Sequence, residues 1–495
     1  MPDCRTKVIE PALAESRPGA VLRALLERAD LSPEQFARRL SQLAADFGLA
    51  RRIDDKTPYK WLRGAVPRHP WPVLAAQLLT SRLGTPVTAH ALGWDNGGPA
   101  GRQYLPADAG LALPWTVPGA LTAISRVTGQ VDLGTVFLPA SGAALTASAL
   151  DWLTAEPAGD PAGTTGLHVG IEQAADIEDI TARLRRIYAR HGSGPVLPLA
   201  QAHARYLTGI LRGNSCTAAV GARLHAACAE LHHQIGWLSH DAGHPAHAQR
   251  HWLAGLRASH AASDRACGAG ILASMSALAS AVGQPDQAIA LARAAQHGYP
   301  AASPRAAAVI SFATAHAYAS AGDAAGCRIA TGAARDALAR ARPAIPEPGW
   351  AAWLDDAGAK ALAGTARLYL RDWAQAQAHL TAALRDLDPV GRACDTAVTY
   401  ARLALAHAGQ QQPEPACHAA NHAAAILTRT VDSARCASYL RQLHDALRPF
   451  DDHPAVTAFT SQARTLLSRQ PATINWPVTA GFDLSLPKPS DELLS

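Results

Sequence analysis

Apolar side chains in the first hundred residues recur every three or four positions, the spacing of one buried helix face. Val21, Leu22, Leu25 and Leu26 mark a helix across Gly19 to Arg28. Phe36, Leu40, Leu43 and Phe47 mark a second, ended by Gly48, and Val73, Leu74, Leu78 and Leu79 mark another from about Pro72 to Leu83. Ser32-Pro33-Glu34-Gln35 opens the second helix as a capping box with proline in the first turn, where no amide hydrogen is needed. After a connection from Leu49 to Lys56 comes Thr57-Pro58-Tyr59-Lys60-Trp61-Leu62-Arg63-Gly64, which reads as a helix of barely two turns. Thr57 is expected to cap it, Pro58 to start it and Gly64 to close it in the left-handed conformation. A helix that short must dock on its neighbours. Trp61 and Leu62 are the side chains to do so, which leaves Tyr59, Lys60 and Arg63 facing outward. A fifth segment, Thr88 to Leu92, closes the unit at Trp94.

From Asn96 to about Gly170 the periodicity disappears and Gly, Pro, Ala and Thr dominate, so residues 96–172 read as a linker. The apolar run from Phe137 to Trp152 is expected to dock on one of the folded parts. Beyond Gln173 the helical period returns and a slot repeats. A turn residue stands five positions before a small one at Gly243 and Ala248, Gly283 and Ala288, Gly322 and Cys327, Arg371 and Ala376, and Gln412 and Cys417. The small residues lie 40, 39, 49 and 41 positions apart. Each slot joins two amphipathic stretches, which makes residues 173–469 an array of helical hairpins. Residues 470–495 are Pro-rich and read as an extended tail.

Charge sharpens this picture locally rather than globally. The 495 residues carry a formal net charge of only +5. Between Arg38 and Arg82, however, nine basic residues face three acidic ones, so the positive excess surrounds the short helix, where a phosphate backbone would attract it. A short helix with basic and hydrogen-bonding groups on its free face suits the DNA major groove. Eight cysteines are scattered singly, without a Cys-x-x-Cys pair, which argues against a zinc knuckle or a disulfide framework. No apolar run reaches the length of a membrane span, and the N-terminus lacks a signal-peptide core, so a cytoplasmic protein with no membrane partner is expected. His240, His244, His247 and His251 invite a metal reading, but the turn at Gly243-His244-Pro245 divides them between two helices, and solvated or capping roles are expected instead. No phosphate-binding Gly-rich loop, zinc-protease helix or nucleophile elbow occurs, so neither an enzyme nor a cofactor is proposed. Trp237, Trp252, Trp350, Trp353, Tyr369 and Trp373 could line a groove or simply pack. Arg205, Arg223, Arg257, Arg293, Arg335 and Arg367 are expected mostly at the surface.

The stretch Ser32-Pro-Glu-Gln-Phe-Ala-Arg-Arg-Leu followed by Thr57-Pro-Tyr-Lys-Trp-Leu-Arg-Gly resembles the helix-turn-helix domain of the Xre family, the lambda-repressor-like transcription regulators, over residues 17–95. The connection from Gly48 to Lys56 is longer than that family uses. The resemblance implies double-stranded DNA as partner, with Lys56, Thr57, Tyr59 and Lys60 at the groove edge and Arg63 and Arg68 on phosphates. Arg51 and Arg52 on the long connection could add phosphate contacts. The hairpin array resembles tetratricopeptide-like repeats, which implies a superhelix that senses an unknown small molecule, peptide or protein, and a possible homodimer. The expected fold is all-α: an N-terminal helix-turn-helix bundle, a linker and a C-terminal tetratricopeptide-like superhelix. Arg-rich, Lys-poor usage is typical of GC-rich actinobacterial genomes, and the layout resembles streptomycete regulators of development and antibiotic production. It implies a nucleoid-associated transcription regulator. The alternative is an interaction scaffold whose helix-turn-helix unit does not read DNA.

Overall fold

A computed structural model describes residues 18–46, 52–68, 71–83, 87, 92, 94, 113–129, 143–163, 166–300 and 302–469. The protein is all-α: twenty α-helices and one two-residue strand pair dominate the described structure. It divides into two compact units, with described residues 18–94 in the first and 113–129 together with 143–469 in the second.

The first unit contains α1 (Pro18–Arg28), α2 (Pro33–Asp46), α3 (Thr57–Leu62) and α4 (Trp71–Leu83). Their apolar faces meet in one core that includes Leu22, Leu25, Phe36, Leu40, Leu74, Leu79, Leu92 and Trp94. The capping box at α2 forms as expected. The Ser32 amide donates to Gln35 Oε1 at 3.0 Å, and the Gln35 amide to Ser32 Oγ at 3.2 Å. Trp61 plugs α3 into this core, edge-on to Phe36 and Trp94 with ring centroids 6.4 and 5.7 Å away. Gly19 in the first turn of α1 lies so close to the end of α3 that a Cβ there would collide with the Leu62 carbonyl.

The second unit begins with α5 (Val117–Gly129) and α6 (Ala143–Thr154), both inside the stretch whose lack of period reads as linker. In α6 the run of Ala, Leu, Thr and Ser leaves little contrast between faces, whereas α5 buries Ala120, Ala123, Ile124 and Thr128 and exposes Thr122 and Arg126, a short helical period set among Gly- and Pro-rich flanks. Aromatic anchors hold the segment instead. Trp152 is fully buried, and Arg265 lies over its ring at 4.7 Å. Gly268 and Gly298 form its socket, where any Cβ would strike the indole. Trp115 lies under Arg257 at 4.5 Å, and Arg257 donates to the Leu113 carbonyl at 2.9 Å.

A parallel pair of two-residue strands, β1 (Leu167–His168) and β2 (Asn214–Ser215), flanks α7 (Ile171–His191) and α8 (Val196–Gly213). Five helical hairpins follow: α9 (Ala218–Asp241) with α10 (Pro245–Ala261), α11 (Arg265–Ala281) with α12 (Pro285–Gly298), α13 (Pro304–Ser320) with α14 (Ala324–Ala339), α15 (Asp356–Tyr369) with α16 (Trp373–Asp386), and α17 (Ala393–Gly409) with α18 (Pro413–Arg429). The unit ends with α19 (Ala434–Ala446) and α20 (Pro454–Arg469). Ala248, Ala288, Cys327, Ala376 and Cys417, the small residues of the repeating slot, are all buried.

One turn geometry recurs through the array. Gly243, Ser263, Gly283, Gly322, Arg371 and Gln411 all have positive φ. At each, the next amide donates to the carbonyl five residues back, from His244 to Ser239 (2.8 Å) through Gln412 to His407 (3.1 Å). This is the Schellman closure of a helix end. The following helix then starts in one of two ways. Asp264, Asp323 and Asp372 cap it with a carboxylate, whereas His244, Gln284 and Gln412 precede a proline that has no amide to satisfy. The slot marked these turns at glycines but missed Ser263, and it placed the last one a residue late.

The second unit is bonded back on itself. Ser193 donates to the Asp432 carbonyl at 2.9 Å, and the Asp432 amide to the His191 carbonyl at 2.9 Å. Ser433 and Arg435 at the start of α19 reach fully buried Asp241 at the end of α9, at 2.8 and 3.0 Å. The 49-residue spacing also has a structural counterpart. Residues 340–355 form an insertion between α14 and α15 whose Trp350 packs on Gly270 and against His233.

Candidate nucleic-acid interface

The short helix α3 is held from behind and open in front. Pro58 and Trp61 are buried, Leu62 is half-buried, and Lys56, Tyr59, Lys60 and Arg63 are exposed. Arg52 and Arg68, on either side of the helix, are exposed as well, and Thr57 is half-buried. Arg51 lies outside the described residues. The end of the helix follows expectation, with Gly64 at a φ of 98° and no atom near where a Cβ would be. The start does not. Lys56 occupies the cap position, and the Thr57 side chain makes no capping bond. No side chain caps the helix; Asp54 forms the turn that leads into it, its carboxylate accepting the Lys56 amide and its carbonyl the Thr57 amide, both at 2.8 Å. The long connection is tied to α2 by Ser41, whose hydroxyl accepts the Ile53 amide at 3.1 Å.

Acidic groups share this face. The Tyr59 hydroxyl donates to a Glu34 carboxylate oxygen across the gap between α3 and α2. That bond lowers the Glu34 pKa from its ordinary value and raises that of Tyr59, so at neutral pH a carboxylate and a neutral phenol sit side by side. Arg38 pairs loosely with Asp55 at 3.7 Å, both well exposed. Beside Tyr59 and Arg63 a depression of about 360 Å³ is lined by Leu26, Leu31, Pro33 and Leu62, with Arg23 and Glu27 completing it. The face therefore presents a row of cations interrupted by Glu34 and flanked by a small apolar hollow. A cationic row of this kind binds phosphates, and the carboxylate opposes it.

On the second unit, the aromatic residues that could line a groove or simply pack are dispersed, as are the arginines expected mostly at the surface. Trp252 and Trp350 are buried, Trp353 is 44% exposed, and Trp237 donates to the Tyr188 hydroxyl at 2.9 Å. Arg257, expected at the surface with the other arginines, is buried, because α5 and its approach cover it. Of the four histidines expected in solvated or capping roles, His244 and His247 are half-buried at the start of α10, where His244 holds the cap position, whereas His240 and His251 depart from those roles. His232, His233, His240 and His251 are buried between helices, with His232 Nδ1 3.0 Å from His251 Nδ1 and His233 Nε2 2.8 Å from Ser274 Oγ. Burial pushes His232 down to about 4. Burial, with help from nearby arginines, pushes His233 and His240 down to about 3. Among the described residues no group of three or more His, Cys, Asp or Glu side chains could hold a metal ion.

Residues 22–95 match the family model described as the SP15 N-terminal domain. The matched stretch begins in α1 and runs just past Trp94, so it takes in the four helices whose core anchors α3. No curated protein matches the chain.

Proposed function

We propose that the protein is a transcription regulator that reads duplex DNA through α3, while its second unit senses a small molecule, peptide or protein. The observation that supports this best is the presentation of α3. Its hydrophobic side is sunk into a core by Trp61, and its free side offers Lys56, Tyr59, Lys60 and Arg63, with Arg52 and Arg68 alongside. On this reading Lys56, Thr57, Tyr59 and Lys60 lie at base edges, and Arg52, Arg63 and Arg68 take phosphates. Binding of an effector by the second unit would favour one arrangement of the DNA-reading units over another and so change occupancy of paired half-sites. Control of development or secondary metabolism rests on the resemblance alone. Selection of duplexes from a randomised pool by the full chain tests the reading: a recurrent base pattern supports it, and a pool that stays random opposes it.

A second reading, an interaction scaffold, is favoured by the apolar hollow beside Tyr59 and by the acidic Glu34 on the same face. It requires a protein segment that fills the hollow, and predicts binding that is indifferent to base sequence.

A further inference from the structure

Helix α7 spans 21 residues and turns an unpartnered stripe to solvent. Glu172, Asp176, Asp179, Ile180, Arg183, Arg186, Ile187 and Arg190 are all exposed, with Ile180 at 41% and Ile187 at 37%. At 100° per residue they fall within roughly a third of the helix circumference. The charges are segregated, with three acids in the first half and three bases in the second. Each acid has a base at the same distance beyond Thr181: Glu172 with Arg190, Asp176 with Arg186, and Asp179 with Arg183. The helix dipole favours acids early and bases late, but its influence ends within the first and last turns. It does not account for Asp179 and Arg183 at the middle of the helix. Among the described residues none of the six enters an ion pair within 4 Å, though the Asp388 carboxyl, lowered in pKa chiefly by the Gly391 and Val390 amides, is lowered further by Arg190 at the end of the stripe.

We propose that two copies of this chain associate along α7, antiparallel, about a two-fold axis level with Thr181. Only this arrangement brings every acid of the stripe opposite a base of the other copy, because a parallel pairing would set like charges side by side. Ile180 and Ile187 then form the apolar line of the seam. Leu199 and Tyr206, 54% and 52% exposed and seven residues apart on α8, extend it, and Gln173 of α7 reaches the Tyr206 hydroxyl at 3.3 Å. An isologous contact of this kind is self-complementary by construction. It stands on the second unit alone and does not depend on DNA reading.

Sedimentation of the full chain tests the seam with two single charge reversals, Asp176→Arg and Arg186→Asp. The wild type is expected to dimerise below about 100 µM and to dissociate with added salt. Each variant alone sets like charges across the axis and should weaken the dimer about ten-fold or more, with unchanged helical circular dichroism. In an equimolar mixture of the two variants, the introduced arginine of one chain faces the introduced aspartate of the other, and the native Arg186 of the first faces the native Asp176 of the second. The mixed dimer should therefore return to near wild-type affinity. A wild type that stays monomeric at about 100 µM would overturn the proposal, as would single variants that dimerise unchanged or a mixture that fails to recover.

Discussion

On the proposed DNA-reading role of α3, Glu34 opposes the approach of a phosphate backbone, because its carboxylate shares the face with Lys60 and Arg63 and holds the Tyr59 hydroxyl. Replacing it by glutamine removes a negative charge and leaves a hydrogen-bond acceptor for Tyr59. Glu34→Gln should therefore tighten duplex binding about three- to ten-fold at low salt, as read by fluorescence anisotropy, with the gain shrinking as salt rises. Unchanged or weaker binding would mean that Glu34 does not face the phosphate backbone. The parts of this site legible in the sequence were those governed by local rules. Trp61 had to be the anchor of so short a helix, and Gly64 had to supply its left-handed end. The start of the helix was less legible, since Thr57 is a capping residue type yet α3 has no side-chain cap, and the turn made by Asp54 depends on the fold of the connection. The Tyr59 to Glu34 bond crosses 25 positions and leaves no periodic trace.

The hairpin turns show the same division at the level of elements. Glycine marks three of the six left-handed turn residues in the array, and a small buried side chain five positions on repeats the signal. Ser263 escaped because a serine carries no such mark, although it lies midway between Gly243 and Gly283. A residue with a Cβ held at positive φ costs about 1 kcal/mol that glycine avoids. Gln411→Gly is therefore expected to stabilise the second unit by about 1 kcal/mol in chemical denaturation. Conversely, Asp323→Ala removes the carboxylate that accepts the Gly326 amide at 2.8 Å and should destabilise it by about 1 kcal/mol. Changes of opposite sign would refute the shared-turn account. Helices α5 and α6 were illegible for different reasons: α5 carries a period of only about three turns among Gly- and Pro-rich flanks, α6 has almost no amphipathic contrast, and the sockets for Trp152 lie more than a hundred residues away on α11 and α12.

At the scale of the whole molecule, the all-α class was plain from periodicity, whereas the closure of the second unit was not. Asp241 and Arg435 are 194 positions apart, and nothing local to either marks the other as its partner. That closure and the packing between hairpins bury histidines that must remain neutral. Their folded pKa values lie below the ordinary value of 6.5, with His232 and His316 at about 4 and His233 and His240 at about 3. The unfolded chain therefore takes up protons first as pH falls, so stability is complete above about pH 6.5 and declines from there toward pH 4. Each such site contributes about 1.4 kcal/mol per pH unit across that window. Thermal melts should show a falling Tm between pH 7 and 5, and His316→Asn should make the decline shallower; a flat profile would contradict the burial of neutral imidazoles. The reading of α3 as a DNA-recognition helix is tested most directly by titrating a selected duplex into the full chain at several salt concentrations, for the wild type and for Lys60→Ala/Arg63→Ala. The account predicts that wild-type affinity falls steeply with salt and retains a base-dependent part, and that the double variant loses that part and about one or two units of salt slope while its helical content is unchanged. Equal affinity and slope in the two proteins would contradict it.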